Sequence, residues 1–249
     1  MLYEFKNDYN KLVMSTWVIG DIHGCFLTLK SLFEDKIHLS KEDTVYLLGD
    51  MIDRGKRSKE TLDYIISLQQ QGYTILPIKG NHEDLLIRLY HEKREDFVLF
   101  KYPRSNSYRR WVLCGGKHTL ESFQVEKAHN IPYHYIQWME SLPYYHVLED
   151  YILVHAGLDF SEKDPFANTT AMLTFKKMTI IPARIDNKII IHGHTKCPIK
   201  RIKQMIEQRH YDHRINLDNG CILVGKQGYG SLLALNLENM TLTIQENID

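Results

Sequence analysis

Gly20-Asp21-Ile22-His23-Gly24 follows the apolar run Trp17-Val18-Ile19, and the reading of this stretch decides the fold. A short aromatic and β-branched run that stops at glycine reads as a buried strand entering a tight loop. The loop carries Asp and His, whose oxygen and nitrogen atoms bind divalent metals. The same order recurs along the chain. Val45-Tyr46-Leu47-Leu48 enters Gly49-Asp50-Met51-Ile52-Asp53-Arg54-Gly55, and Thr74 to Ile78 precedes Gly80-Asn81-His82-Glu83. Tyr151 to Val154 enters His155-Ala156-Gly157, and Lys188 to Ile191 precedes Gly193-His194-Thr195. Glycine lets the backbone turn beside each polar residue. A lone Asp or His at a strand end is usually a cap or a satisfied polar group, but a fixed series of them after buried strands is hard to obtain by chance.

Helical spacing follows the first loops: Phe26, Leu29, Leu32 and Phe33, then Leu62, Ile65 and Ile66 in a segment whose expected N-cap is Ser58. Strand, polar loop and helix therefore repeat, which sets the polar residues at the carboxyl ends of strands, where open α/β sheets bind ligands. The later half is richer in strands, expected at Tyr151 to Val154, Lys188 to Ile191, Arg214 to Leu217, Ser231 to Asn236 and Thr241 to Ile244. This pattern is compatible with an α/β fold in which two sheets pack face to face with helices outside. The 249 residues hold no Pro, Gly or Ser-rich linker, so one domain spanning 1–249 is expected, with 91–137 as a partial helical cap.

The order GDxHG, GDxxDRG, GNHE, HAG, GHT resembles that of the PPP-type metallophosphatases within the calcineurin-like phosphoesterase superfamily. The likeness points in particular to small bacterial and phage serine/threonine phosphatases and to relatives that cleave diadenosine tetraphosphate. Trp111, Gly115-Gly116, Thr119-Leu120, Leu142-Pro143-Tyr144 and Asn216-Leu217-Asp218-Asn219-Gly220-Cys221 extend it between and beyond the motifs. It implies a four-layer αββα sandwich. It also implies two divalent ions, with manganese the first expectation and iron, zinc or nickel the alternatives. Asp21 and His23 would hold one ion, Asn81, His155 and His194 the other, and Asp50 would bridge them. Water activated between the ions would attack phosphorus directly, with no covalent enzyme intermediate. His82 would protonate the leaving oxygen, Asp53 would orient its imidazole, and Arg54 would grip the phosphoryl oxygens with Asn81 beside it.

The resemblance leaves two substrates open. Asp53-Arg54 and Glu83 favour phosphoserine or phosphothreonine in proteins, with a dinucleoside polyphosphate as the alternative; a noncatalytic metal-binding module would not need both a full ligand set and His82. Many relatives carry Arg where this chain has Lys79, and Thr174-Phe175-Lys176 stands where Trp-Ile-Arg is usual, so Lys176 is a further candidate for substrate binding. His194, the His followed by Thr, is taken as the ligand, so His192 is expected either in the core or supporting the ligands from behind, and Glu83 at a helix N-terminus, where a carboxylate is favourable. Basic and aromatic residues interleave from Arg94 through Lys101, Tyr102, Arg104 and Tyr108 to Arg109 and Arg110, a face that reads as solvated.

Lys and Arg (31) balance Asp and Glu (31), so the overall field gives no reason to expect a nucleic-acid or anionic-membrane partner. The partner expected is instead a phosphorylated protein or a nucleotide. Cys25, Cys114, Cys197 and Cys221 lack Cys-x-x-Cys spacing, and none is followed six residues later by Arg, which argues against a zinc knuckle and a thiol phosphatase. No apolar run has the length of a membrane span, and Met1 to Ser15 is too polar for a secretory signal, so a cytoplasmic location is expected. Met14 precedes the first strand, which leaves open whether Met1 to Val13 is an added element.

Overall fold

The computed structural model describes residues 14–95 and 106–249. Strands β1 (Thr16–Ile19), β2 (Thr44–Leu47) and β3 (Thr74–Pro77) pair in parallel, the arrangement demanded when helices connect successive strands. The intervening helices are α1 (Phe26–Ser31) and α2 (Ser58–Gln70), and β3 leads to α3 (Asn81–Glu95). The middle of the chain forms α4 (Asn106–Trp111), α5 (Lys117–Ser122) and α6 (Tyr133–Glu140). Residues 96–105 of the expected cap, with Lys101, Tyr102 and Arg104, lie outside the described residues, as does Met1 to Val13.

A second sheet begins with β4 (Tyr145–Val147) and β5 (Tyr151–Val154), an antiparallel pair. Helix α7 (Thr169–Thr174) precedes β6 (Ile189–His192), and α8 (Ile199–Glu207) and α9 (Arg209–Asp212) precede β7 (Arg214–Asn216). The chain then returns through β8 (Ser231–Asn236) and β9 (Leu242–Glu246) to the first sheet, which has the order β3-β2-β1-β8-β9. The other sheet has the order β4-β5-β6-β7, with β5, β6 and β7 parallel.

Alternation within the strands builds the layers. Val18 meets Leu153, Ile189, Ile191, Ile215, Leu233 and Leu235 between the sheets, while its neighbour Ile19 faces Leu29, Leu62 and Leu86 under the helices. Ile152, Val154 and Ile190 face outward from the second sheet onto Leu158, Phe160, Met172 and Ile185. Both faces of each sheet are thus covered, and β6 can be continuously apolar without exposing a side. Two mixed sheets flanked by helices form the expected α/β sandwich.

Some local expectations need correction. Strand β6 starts at Ile189 and ends at His192, one residue later than expected at each end, β7 stops at Asn216, and β9 runs from Leu242 to Glu246. Strand β4 is an addition: it is short and only half buried, so it carries no apolar run. Ser58 opens α2 without capping it, because its hydroxyl is turned away into a polar cluster beneath the site.

Candidate active site

Every motif loop leaves the carboxyl end of a strand, from β1, β2 and β3 in one sheet and from β5 and β6 in the other, so the two sheets deliver their polar residues to one edge of the sandwich. The turning is done largely by the functional residues themselves. His23 (φ 50°), Asp50 (φ 50°), Asp53 (φ 69°), Arg54 (φ 68°) and His194 (φ 67°) all adopt left-handed backbone. Such conformations cost about 1–3 kcal/mol each outside glycine and cluster where a structure needs a particular side-chain direction. Gly20 and Gly80 serve close approach instead: a Cβ on the first would collide with the Leu217 carbonyl and on the second with the Asp50 amide.

Asp50 lies at the centre, and its carboxylate divides between two clusters. Oδ1 is 3.4 Å from His155 Nε2, while Oδ2 is 3.6 Å from His23 Nε2 and 3.8 Å from His82 Nε2. Burial alone would raise its pKa, but His155, His82 and His23 outweigh that and hold the group ionised far below the usual carboxylate range. Around Oδ1, Asn81 Oδ1 lies 2.9 Å from both His155 Nε2 and His194 Nδ1. Three motifs therefore converge on one point. Asp50, His155 and His194 are positioned to hold a metal ion, and so are His23, Asp50 and His82.

Asp21 belongs to the same basin. Its Oδ2 is 4.0 Å from His23 Nε2, and its carboxylate accepts the His194 backbone N–H, with Oδ2 at 3.0 Å. Burial, then Asp218 and Asp50, push its pKa well up, the signature of buried carboxylates gathered without enough positive charge.

The tautomers suit metal binding. His23 Nδ1 donates to the Ile52 carbonyl at 3.1 Å and His155 Nδ1 donates to the Leu48 carbonyl at 2.7 Å, which leaves each Nε2 lone pair facing the centre. Burial, followed by the Arg54 charge, lowers the His23 pKa well below normal, and burial lowers that of His194 to about 4. Both rings are neutral at ordinary pH. Oxygen and imidazole donors without thiolate fit manganese, iron, zinc or nickel; among the described residues the cysteines are free and contribute no donor to either cluster.

His82 is built differently. Its Nδ1 donates to Asp53 Oδ2 at 2.7 Å, and although burial opposes the charged form, Asp50 and Asp53 together raise its pKa above the usual value. Asp53 is itself locked in place: Trp111 Nε1 donates to Oδ2 at 2.8 Å and Thr119 Oγ1 to Oδ1 at 2.5 Å. Arg54 donates from Nη1 to His23 Nε2 at 2.6 Å and from Nη2 to His82 Nε2 at 3.0 Å. Its backbone N–H reaches the Gly115 carbonyl at 3.2 Å, and the tight approach is open only because Gly115, at φ 103°, has no Cβ.

Trp111, Gly115 and Thr119 were visible in the sequence as points of likeness, but without a role. His118 also supports Arg54, its Nδ1 lying 2.6 Å from the Arg54 carbonyl. Glu83 does more than favour a helix start. Its carboxylate accepts from Gly80 N and Asp50 N at 2.9 Å, Met51 N at 2.8 Å and Ile52 N at 3.3 Å, and burial, with Asp50 next, pushes its pKa up to about 7. His192 donates no atom to either cluster, and its Nδ1 lies 3.1 Å from the Gly193 carbonyl. Lys79 is buried, donates to the Glu140 carbonyl at 3.3 Å and sits over the Tyr144 ring, so its ammonium is engaged away from the metal-ligand groups. Lys176 is exposed on the segment whose Phe175 and Met178 pack over Gly157.

A double-sheet sandwich with these buried donors at its strand ends defines a metallophosphoesterase. The description of the calcineurin-like phosphoesterase family matches residues 14–198, and the chain belongs to that family. It is 33% identical over 147 residues to the symmetrical bis(5'-nucleosyl)-tetraphosphatase of Buchnera aphidicola subsp. Baizongia pistaciae, a match that covers 58% of this chain and 44% of that protein. It is 26% identical over 233 residues to the asymmetrical bis(5'-nucleosyl)-tetraphosphatase PrpE of Anoxybacillus flavithermus, covering 84% of this chain and 86% of the relative. By fold it resembles a Saccharomyces cerevisiae protein serine/threonine phosphatase, with a TM-score of 0.60 at 17% identity over 95% of this chain and 81% of the other. The expectation that favoured phosphoproteins thus finds only a likeness of fold, while the sequence relatives bear the name of the alternative.

Proposed function

We propose that this protein is a two-metal phosphoesterase that hydrolyses dinucleoside polyphosphates. The metal half of the proposal is carried by one observation, the Asp50 carboxylate divided between His155 on one side and His23 and His82 on the other. The substrate half is supported by the named activities of the sequence relatives. In this reading Asp21, His23 and Asp50 would hold the first ion and Asp50, Asn81, His155 and His194 the second, with manganese the first choice. Two bound divalent ions supply Lewis acidity and lower the pKa of water into the neutral range.

The remaining work falls to the side chains. Arg54 leaves the histidines and takes up nonbridging phosphoryl oxygens with its planar fork. His82 Nε2 can carry either the Arg54 contact or a proton, not both, so engagement of Arg54 by substrate frees His82 to act as an acid. Asp53 keeps the ring in line because its own oxygens are fixed by Trp111 and Thr119. Lys176, on the rim, meets the more distant phosphates. We place the reaction in the cytoplasm and read the chain as one domain, with the helices of 106–137 as a wall beside Arg54.

Phosphoserine or phosphothreonine in proteins is the second reading, favoured by the rigidly held His82. A serine alkoxide needs a proton on departure more than a phosphate does, and His82 is built to give one. Manganese-loaded protein assayed in parallel on diadenosine tetraphosphate, phosphopeptides and a small phosphomonoester separates the two. We expect the highest kcat/KM on the dinucleotide; preference for phosphopeptides would install the second reading, and no metal-stimulated hydrolysis of any substrate would remove both.

A further inference from the structure

Asp218 supplies no atom to either donor cluster, yet it is among the most buried carboxylates of the described residues, with 1% of its surface accessible. It follows β7 in a loop wedged between the first and last motifs. Leu217 N donates to the His192 carbonyl at 2.8 Å, and the Leu217 carbonyl packs where Gly20 lacks a side chain. The Asp218 backbone is tied to the loop after His194, since Cys197 N donates to its carbonyl at 2.8 Å. Its Oδ1 accepts from Gly220 N at 2.7 Å, but its Oδ2 is buried with no hydrogen-bond partner among the described residues.

A buried carboxylate oxygen without a donor is costly, and native structures seldom keep one without a use. Burial and neighbouring charge account for its state: Asp218 is held against ionisation first by burial and also by Asp50, while Asp21 in turn feels Asp218 more strongly than it feels Asp50. Lys196 and Arg54 are the cations that act on Asp218. Three buried carboxylates, Asp21, Asp50 and Asp218, therefore share one region.

We propose that Asp218 is a positioning residue for the metal centre, a third buried carboxylate beside Asp21 whose charge and free acceptor oxygen strengthen the hold of the Asp21–His23 side on its ion. The inference rests on the two-metal reading. It assigns Asp218 no contact with substrate. Residues that act through metal ligands in this way typically change ion affinity by about 10–100-fold when altered.

Calorimetric titration of metal-free protein with manganese tests it, on wild type, Asp218→Asn and Lys196→Gln, together with the melting temperature of each metal-free form. Asp218→Asn keeps an oxygen for Gly220 N but removes the charge. We expect it to weaken one of two ions by about 10–100-fold, to leave the other near wild type, and to melt no lower than wild type without metal because a buried repulsion is relieved. Lys196→Gln should tighten the same ion a few-fold, by leaving the Asp218 charge less compensated. Wild-type ion binding in Asp218→Asn overturns the proposal, as does a metal-free variant that melts lower or does not fold, which would make Asp218 a turn residue. Unchanged or weaker binding in Lys196→Gln also overturns it. Should wild type itself fail to bind two ions, the two-metal reading falls and takes this inference with it.

Discussion

The two halves of the centre are assembled by different means. On the Asn81–His155–His194 side, one amide oxygen lies 2.9 Å from two imidazole nitrogens, and no arginine contact intervenes among the described residues. On the Asp21–His23 side, Arg54 lies 2.6 Å from the His23 lone pair and the carboxylates repel one another. One half is preorganised around an amide oxygen shared by two imidazoles; the other balances opposed charges that rearrange when a cation or an anion arrives. The difference suggests a division of labour in which the first half anchors and the second responds.

Removing the shared element should erase the comparison. Asp50→Asn is expected to weaken both ions and lower kcat by on the order of 10³–10⁴-fold, because groups that act as a unit fail together. Metal analysis alongside kinetics checks it; loss of one ion only would mean that Asp50 serves a single half.

His82→Asn probes the responsive half alone. We expect kcat to fall by about 10²–10⁴-fold on a phosphomonoester with a basic leaving group, and less on a polyphosphate or an activated aryl ester. Metal content should persist. His82 has a raised pKa and must be protonated to act as an acid, so wild-type activity should decline as pH rises through that value, and the variant should lose this alkaline limb. Equal losses on all leaving groups would withdraw the acid role.

Acid should strain both halves. His23, His192 and His194 have pKa values pushed below normal in the fold, the last two to about 4, chiefly by burial. The unfolded chain therefore binds more protons below pH 6.5, and their contribution to stability, full above that value, is lost as pH falls toward about 4. Taken alone these rings would lower the stability of metal-free protein by on the order of a few kcal/mol across this range, opposed by Glu83 and Asp21, whose raised pKa values make the fold bind protons more tightly. NMR titration of the ring carbons checks the rings themselves, and protonation near pH 6.5 would show that they are not held neutral.

The smallest effect belongs to the rim. Lys176→Arg should change KM a few-fold and shift the ranking of polyphosphate against monoester, because a guanidinium engages two oxygens where an ammonium offers a point charge. Metal content should be unaffected. No change in any constant, for this variant or for Lys176→Ala, would return Lys176 to the solvent.

Much of this architecture was legible in the chain. The strand-loop motifs brought Asp21, His23, Asp50, Asn81, His155 and His194 to one place because each follows a buried run at a carboxyl strand end, a local pattern. What escaped was nonlocal. Trp111 and Thr119 hold Asp53 from another helical segment, and Ser58 turns inward to Thr119 rather than capping α2; no periodicity encodes such bonds. Glycine was expected to do the turning, and Gly24 (φ 64°) and Gly49 (φ 88°) do part of it, but left-handed backbone at His23, Asp50, Asp53, Arg54 and His194 is imposed by the surrounding fold and leaves no mark in composition. Strand β4 was missed for the opposite reason, being too short and exposed to announce itself.

Glu83 bears on how this site can vary. The Glu83 carboxyl group gathers the amides of Gly80, Asp50, Met51 and Ile52, and Asp50 Oδ1 accepts from His82 N, so the loops after β2 and β3 are joined by side-chain carboxyl groups rather than by ladder bonds between strands. They behave mechanically as one piece. Substitutions in the two loops should then be coupled by about 0.5–3 kcal/mol in double-mutant cycles, whereas pairs that link either loop to the distant β9 should add. For a lineage, this means that the two motifs are inherited as a single character: a change that is tolerated in one is tolerated only with the other's consent.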